Sequence, residues 1–223
     1  MNKQILIVGG SSGIGNALNN LLNEEGHEII NISRSLGGTD VLDESPNFPI
    51  IDGALDALVY CPGSINLKPF RGLKMGDFQH DLEVNYLGAI KTIKHYLPNL
   101  KEAERASITL FSTVAVQKGM TFHSSIAGAK GAIEGLTRAL AAEFAPKIRV
   151  NCIAPSLTDT PLASKLLRNE KQREGAEQRH PLKSIGQASD IANMTHYLIS
   201  EKANWISGQI IGVDGGMSSL SNG

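Results

Sequence analysis

At 223 residues and 23.8 kDa the chain fits one large domain better than two, and its 41% hydrophobic and 19% charged residues suit a buried core and exclude a disordered polymer. Its 21 Lys and Arg against 22 Asp and Glu leave a net charge of −1, which excludes the basic footprint of a dedicated nucleic-acid binder or a polybasic membrane anchor and points to a small-molecule partner. Cys61 and Cys152 lack the paired spacing of a zinc or redox site, so they read as buried thiols and no metal is expected. The first apolar run, residues 5–8, is too short for a signal-peptide core or a membrane span, and a cytoplasmic location is the expectation.

In chain order, residues 5–8 form a continuous apolar run, as a strand covered on both faces requires, and Ile14, Ala17, Leu18, Leu21 and Leu22 then repeat at helical spacing up to Gly26. Residues 28–33 read as a second strand. Between 34 and 55 the chain is turn-rich, with Gly37, Gly38, Pro46 and Pro49 and no helical period, so one crossover helix is expected to be missing or rudimentary. A buried strand over 57–61 precedes a long helix over 77–97, striped by Leu82, Tyr86, Ala89, Ile90, Ile93 and Leu97. A strand over 108–112, a helix over 125–144 and a strand over 148–153, ended before Pro155, continue the alternation. Residues 163–180 are the most charged stretch and read as a solvated helical excursion; a helix over 189–200 and a strand over 208–213 follow. Strands alternating with helices predict an α/β fold, a three-layer doubly wound parallel sheet in a single domain.

The turn Gly9-Gly10-Ser11-Ser12-Gly13-Ile14-Gly15 sits where a strand bends into a helix, and its missing side chains let a phosphate approach backbone N–H groups at the positive helix end. The Lys-Ser/Thr pair of an NTP-binding P-loop is absent. Further marks follow in order: Asp40-Val41, Asn85 within Val84-Asn85-Tyr86-Leu87-Gly88, the segment Arg149 to Pro155, Thr160, and the segment Gly208 to Gly216. Together these make the chain, from about residue 3 to 217, resemble the short-chain dehydrogenase/reductase family.

That resemblance implies a Rossmann fold holding a nicotinamide dinucleotide across the carboxyl ends of its strands, with substrate beside the nicotinamide. It assigns the pyrophosphate and adjacent ribose to Gly9, Ser11, Ser12, Gly13, Ile14 and Gly15, the adenine to Asp40 and Val41, the ribose approach to Gly63, the nicotinamide ribose to Lys130 and the carboxamide side to Thr160. The second strand ends in Ser33-Arg34 where an acid would bind a ribose 2′-hydroxyl, and a guanidinium pairs with a 2′-phosphate instead. NADP(H) is therefore expected over NAD(H).

The active site departs from the family. Its members carry a Tyr and a Lys four residues apart on one helix, and here Lys130 matches the Lys while Ile126 stands in the Tyr position. By resemblance Asn85, Thr113 and Lys130 are the surviving catalytic set, with Ser112 an alternative to Thr113; Tyr60-Cys61-Pro62-Gly63 replaces Asn-Asn-Ala-Gly, and Pro155-Ser156 replaces Pro-Gly. Three readings follow. One is a carbonyl reductase with another proton donor, His123 being a candidate because it lies two helical turns before Lys130; Ser124, Ser125, Thr113, Tyr60 and water are rivals. Another is reduction of an activated carbon–carbon double bond, in which Thr113 and Tyr60 hydrogen-bond an enolate. The third is an NADP-binding sensor or scaffold without turnover. Residues 160–180 are expected to cover the substrate, and the long helices over 77–97 and 125–144 to join a homodimer or homotetramer.

Overall fold

The structure, a computed structural model, describes residues 2–221. In chain order it comprises β1 (Gln4–Val8), α1 (Gly13–Glu24), β2 (Glu28–Ile32), β3 (Ala57–Tyr60), α2 (Met75–Leu82), a π-helical turn (Glu83–Leu87), α3 (Gly88–Glu102), β4 (Ala106–Phe111), α4 (Val114–Lys118), α5 (Ser124–Phe144), β5 (Ile148–Pro155), β6 (Thr158–Asp159), α6 (Glu170–Arg179), β7 (Gly186–Gln187), α7 (Ala188–Ile199) and β8 (Ile210–Val213). Six strands form one parallel sheet in the order β2-β1-β3-β4-β5-β8, and β6 pairs with β7 beside it. The expected α/β architecture is observed.

Strand periodicity builds the three layers. Ile5 and Ile7 of β1 face a cluster with Leu18 and Leu22 of α1 and Ile191 and Leu198 of α7, whereas Leu6 and Val8 face the other side, against Ile93, Tyr96 and Leu100 of α3 and Ile133 of α5. Every residue of β3 and β4 is buried. A strand covered on both faces has no solvent-facing side, which is why β3 reads as an unbroken apolar run, while in β4 Ser107 and Thr109 are buried along with their apolar neighbours.

Where a further crossover would lie, residues 33–56 run as an irregular loop, as their turn-rich composition predicted. Its carbonyls are held by side chains of α3. Lys91 Nζ donates to Asp43 O at 2.7 Å, Tyr96 Oη to Pro49 O at 2.9 Å, and Asn99 Nδ2 to Ile51 O and Gly53 O, each at 2.8 Å. Phe48, Ile51 and Leu55 enter the core beneath them. Polar pairing by a neighbouring helix thus replaces the hydrogen bonds that a helix of its own would have made.

Three expectations about elements are corrected. The helix expected over 77–97 is two helices joined by the π-helical turn, and α3 continues through Pro98, an exposed position, to Glu102. The fifth strand does not stop before Pro155, because Pro155 pairs in register with Val213. The helix expected over 125–144 begins at Ser124, so His123 is its N-terminal flank and lies outside the helical turns that would align it with Lys130.

The strand order reverses between β1 and β3, so the crevice outside their carboxyl ends is the natural ligand position of this topology. Among the described residues no helix is long and apolar enough to cross a membrane, and no cluster of three or more His, Cys, Asp or Glu side chains is placed to hold a metal ion.

Candidate active site

Two adjoining cavities open along that crevice. The first, of about 530 Å³, is walled by Gly9, Ser11, Ser12, Gly13, Ile14 and Gly15 of the first turn, Ser33 and Arg34 after β2, Asp40 and Val41 of the long loop, Gly63 after β3, and Thr160 after β6. Every residue assigned above to a dinucleotide, Lys130 apart, therefore lines one space. The second, of about 490 Å³, shares Ile14, Gly63 and Thr160 with the first and brings in Thr113, His123, Ile126 and Lys130.

The first turn is shaped for an anion. Gly9 and Gly13 take φ of 81° and 54°, a region that favours glycine, and a Cβ on Gly15 would collide with the Gly9 carbonyl. Ser12, the N-cap of α1, makes no side-chain capping bond, and the first turn carries no acidic residue. The opening N–H groups of α1 are thus left to a ligand, and the helix dipole favours a negative one. Beyond β2, Ser33 is buried and its Oγ accepts from Leu36 N at 3.0 Å, closing a tight turn that leaves Arg34 exposed on the cavity rim. This chain's residues fit a phosphorylated dinucleotide.

At the junction of the cavities lies Gly63. A Cβ there would stand 3.4 Å from Asn85 Oδ1 and 3.7 Å from Lys130 Nζ, so both side chains converge on the same point from behind. Asn85 lies in the π-helical turn and its Nδ2 donates to Asp81 O at 2.8 Å and Ser64 Oγ at 2.9 Å, while its buried Oδ1 has no partner among the described residues. Asp81, fully buried, accepts from Ser64 Oγ at 2.6 Å and from Ser125 Oγ at 2.5 Å. Two hydroxyls and a nearby ammonium compensate for burying that carboxylate.

Lys130 is 8% exposed and donates to Phe111 O at 2.8 Å. Burial pushes its pKa down to about 8, against the pull of the Cys152, Cys61 and Asp81 side chains. Ile126, buried one turn before it, supplies no polar atom. Thr113 caps α4, its Oγ1 accepting from Ala115 N at 3.3 Å, which leaves the hydroxyl proton to aim elsewhere. Ser112 is engaged differently: its Oγ donates to the buried Glu134 at 2.7 Å.

Two sequence-based expectations change here. Tyr60 is no hydrogen-bond donor to a substrate, because its Oη donates to Val84 O at 2.7 Å inside the core, and burial pushes the phenol far above its ordinary pKa. Cys61 is no core thiol; it is half-buried and lines both cavities, whereas Cys152 is buried. His123 does reach the second cavity, with Nδ1 hydrogen-bonded to Thr121 O at 2.7 Å. Ser64, Asp81 and the pair Ser156–His180 were not singled out by sequence reasoning, whereas Ser125, named there as a rival proton donor, is engaged by Asp81. Only Ser156 carried a signal, as the departure from the family's Pro-Gly.

Comparison with known proteins accords with this geometry. The family model described as Enoyl-(Acyl carrier protein) reductase matches residues 50–218. The chain is 29% identical over 241 residues to the 3-oxoacyl-[acyl-carrier-protein] reductase FabG of Thermotoga maritima, covering 96% of this chain and 97% of that protein. It is 34% identical over 170 residues to a tropinone reductase homolog of Arabidopsis thaliana, covering 76% of this chain but 65% of the relative, just under two thirds of its length. Among solved structures, ElxO with NADP bound superposes with a TM-score of 0.89 at 26% identity, covering 99% of this chain and all of that one.

Proposed function

We propose, because the chain belongs to the short-chain dehydrogenase/reductase family of NAD(P)-dependent oxidoreductases, that it transfers a hydride between NADP(H) and the carbonyl of a small substrate. The observation carrying this reading is the convergence on one cavity of the glycine turn, Gly63 and the carboxylate-free end of β2 with Arg34 at its rim. The N–H groups at the start of α1 hold the pyrophosphate, Ser33 and Arg34 the 2′-phosphate, and Asp40 and Val41 border the adenine. Lys130 holds the nicotinamide ribose, and Thr160 lies by the carboxamide. When bound, the cofactor supplies a hydride at the nicotinamide ring.

This chain's residues then deal with the oxygen. Thr113 donates its free hydroxyl proton as a hydrogen bond to the oxygen on which charge develops, stabilisation that acts only as the transition state forms. Asn85 fixes the π-helical turn behind Gly63 through its bond to Asp81 O, with its Oδ1 and the Lys130 ammonium both close to Gly63. Residues 160–180, which hold Leu162, Ala163 and Leu166 against the second cavity, cover the substrate. Reduction of an activated carbon–carbon double bond stands beside carbonyl reduction, because Thr113 serves an enolate oxygen equally well and Ile126 leaves that site without a phenol. A sensor or scaffold role has no observation favouring it, since a cavity of substrate size adjoins Lys130.

The cofactor assignment is tested by titrating the protein with NADPH and NADH. NADPH should bind more tightly, and Arg34→Ala should weaken NADPH by about 10- to 100-fold, the worth of a charged hydrogen bond, while leaving NADH unchanged. Tighter binding of NADH would refute it.

A further inference from the structure

We propose that Ser156 and His180 form the proton-transfer pair of this active site, Ser156 touching the substrate oxygen and His180 positioning and recharging Ser156; the inference rests on the oxidoreductase reading above. Among the described residues, neither a tyrosine nor a carboxylic acid lines the second cavity. Its proton carriers are therefore hydroxyls, imidazoles, the Cys61 thiol, which burial pushes up to about 12, and the ammonium groups of Lys171 and of Lys130, the latter engaged by Phe111 O. One imidazole is bonded to a hydroxyl of the same cavity: His180 Nε2 lies 2.8 Å from Ser156 Oγ.

The ring's other bond decides its chemistry. His180 is 2% exposed and its Nδ1 lies 2.8 Å from Ala176 O, a carbonyl that can only accept. Nδ1 therefore carries a proton, and Nε2 is the atom that changes state: bare, it accepts from Ser156 Oγ, and protonated, it donates to it. Asp214, which accepts from Ser218 N at 3.0 Å, precedes Gly215 beside the ring, and Lys183 N bonds to His180 O. Gly215, whose φ of 60° favours glycine, packs against the ring at ordinary contact distance.

Thr113 lines the same cavity as the pair: β4 and β5 run side by side as far as Phe111 and Ile153, and Thr113 and Ser156 each follow the end of one of those strands. During reduction the hydride forms the new C–H bond, the carbonyl π pair moves to oxygen, and that oxygen takes the Ser156 proton. Ser156 Oγ takes the proton from His180 Nε2, and solvent later returns one to the ring. One hydride and one proton turn the ketone into the alcohol, and oxidation runs the same transfers backward.

The test compares Ser156→Ala, His180→Gln and the double variant with the unaltered protein, using NADPH and a panel of ketones, quinones, 3-oxoacyl thioesters and enones. Each single change should lower kcat by about 10²-fold, the usual worth of a positioned proton donor, with KM and NADPH affinity unchanged. The double variant should be no slower than the slower single one, because the residues act as a unit. Independently of turnover, ¹⁵N NMR of the cofactor-free protein should show neutral His180 protonated at Nδ1, with its Nε2 resonance displaced by Ser156→Ala. An undiminished kcat in Ser156→Ala, or a neutral ring protonated at Nε2, overturns the pair and leaves the oxidoreductase reading intact. An unaltered protein that binds NADPH and reduces none of the panel overturns both.

Discussion

Lys130 keeps its ammonium buried with one carbonyl, that of Phe111, for a direct partner among the described residues, and a buried cation held this way destabilises the fold. Its folded pKa of about 8 lies below the ordinary 10.5, so between those values the unfolded chain binds more protons than the native one. Stability contributed by this site therefore rises with pH through that window, and the cost is fully present below it. Urea unfolding of the protein and of Lys130→Met should show the difference between them moving in favour of the unaltered chain by about 1–2 kcal/mol from about pH 7.5 to about pH 9.5. A constant difference would place the ammonium in a wetter site than the structure does. Ile126 offers the reciprocal experiment: Ile126→Tyr, made in the Ser156→Ala background, should recover about tenfold or more of the lost kcat, since it returns a proton donor one turn from Lys130. NADPH turnover alone reads out this result.

At the scale of elements, the π-helical turn decides whether Asn85 faces the site at all. It is gripped by Tyr60, whose Oη donates to Val84 O and lies so close to Gly88 that a Cβ there would collide with it. Gly88→Ala should therefore destabilise the protein by about 1–3 kcal/mol through overpacking, and Tyr60→Phe should relieve part of that loss when combined with it. Additive losses in urea melts would show that the turn and β3 are not in contact as described. The glycine turn and the end of β2 were legible in the chain because strand, turn and helix are adjacent there, and spacing alone carries them. The π-helical turn was not legible: an apolar stripe has the same period in α2 and α3, and one extra residue per turn between them leaves it nearly unbroken. The helix also runs past residue 97 through Pro98, because a proline at an exposed helix position can be tolerated when the carbonyl it frees meets water.

Over the whole molecule, the sheet order places both cavities at one edge and leaves a face of α5 bare. Gly128, Gly135, Ala139 and Ala142 are exposed along it, and Leu82 and Leu87 are exposed near the junction of α2 and α3. Small residues let a second helix approach closely, so these faces are proposed to join copies of the chain as a dimer or tetramer. Light scattering should find an oligomer, and Gly135→Glu should convert it toward monomer without weakening NADPH binding. A monomer at working concentration would remove the proposal.

What the sequence by itself determined is the set of features written in neighbouring residues: alternating strands and helices, the glycine-rich turn between the first strand and helix, Arg34 after the second strand, and the helix carrying Ile126 and Lys130. What only the tertiary structure decided is which distant groups meet. Ser156 and His180 are 24 positions apart and Asp81 and Ser125 are 44 apart, and neither spacing has a local signature. Hydrogen bonds between such groups depend on how β5, α6, α2 and α5 pack, and packing is fixed by burial of apolar faces elsewhere in the chain. Local periodicity reports which faces are buried; the contacts those faces impose on polar groups emerge only when all of them are buried together.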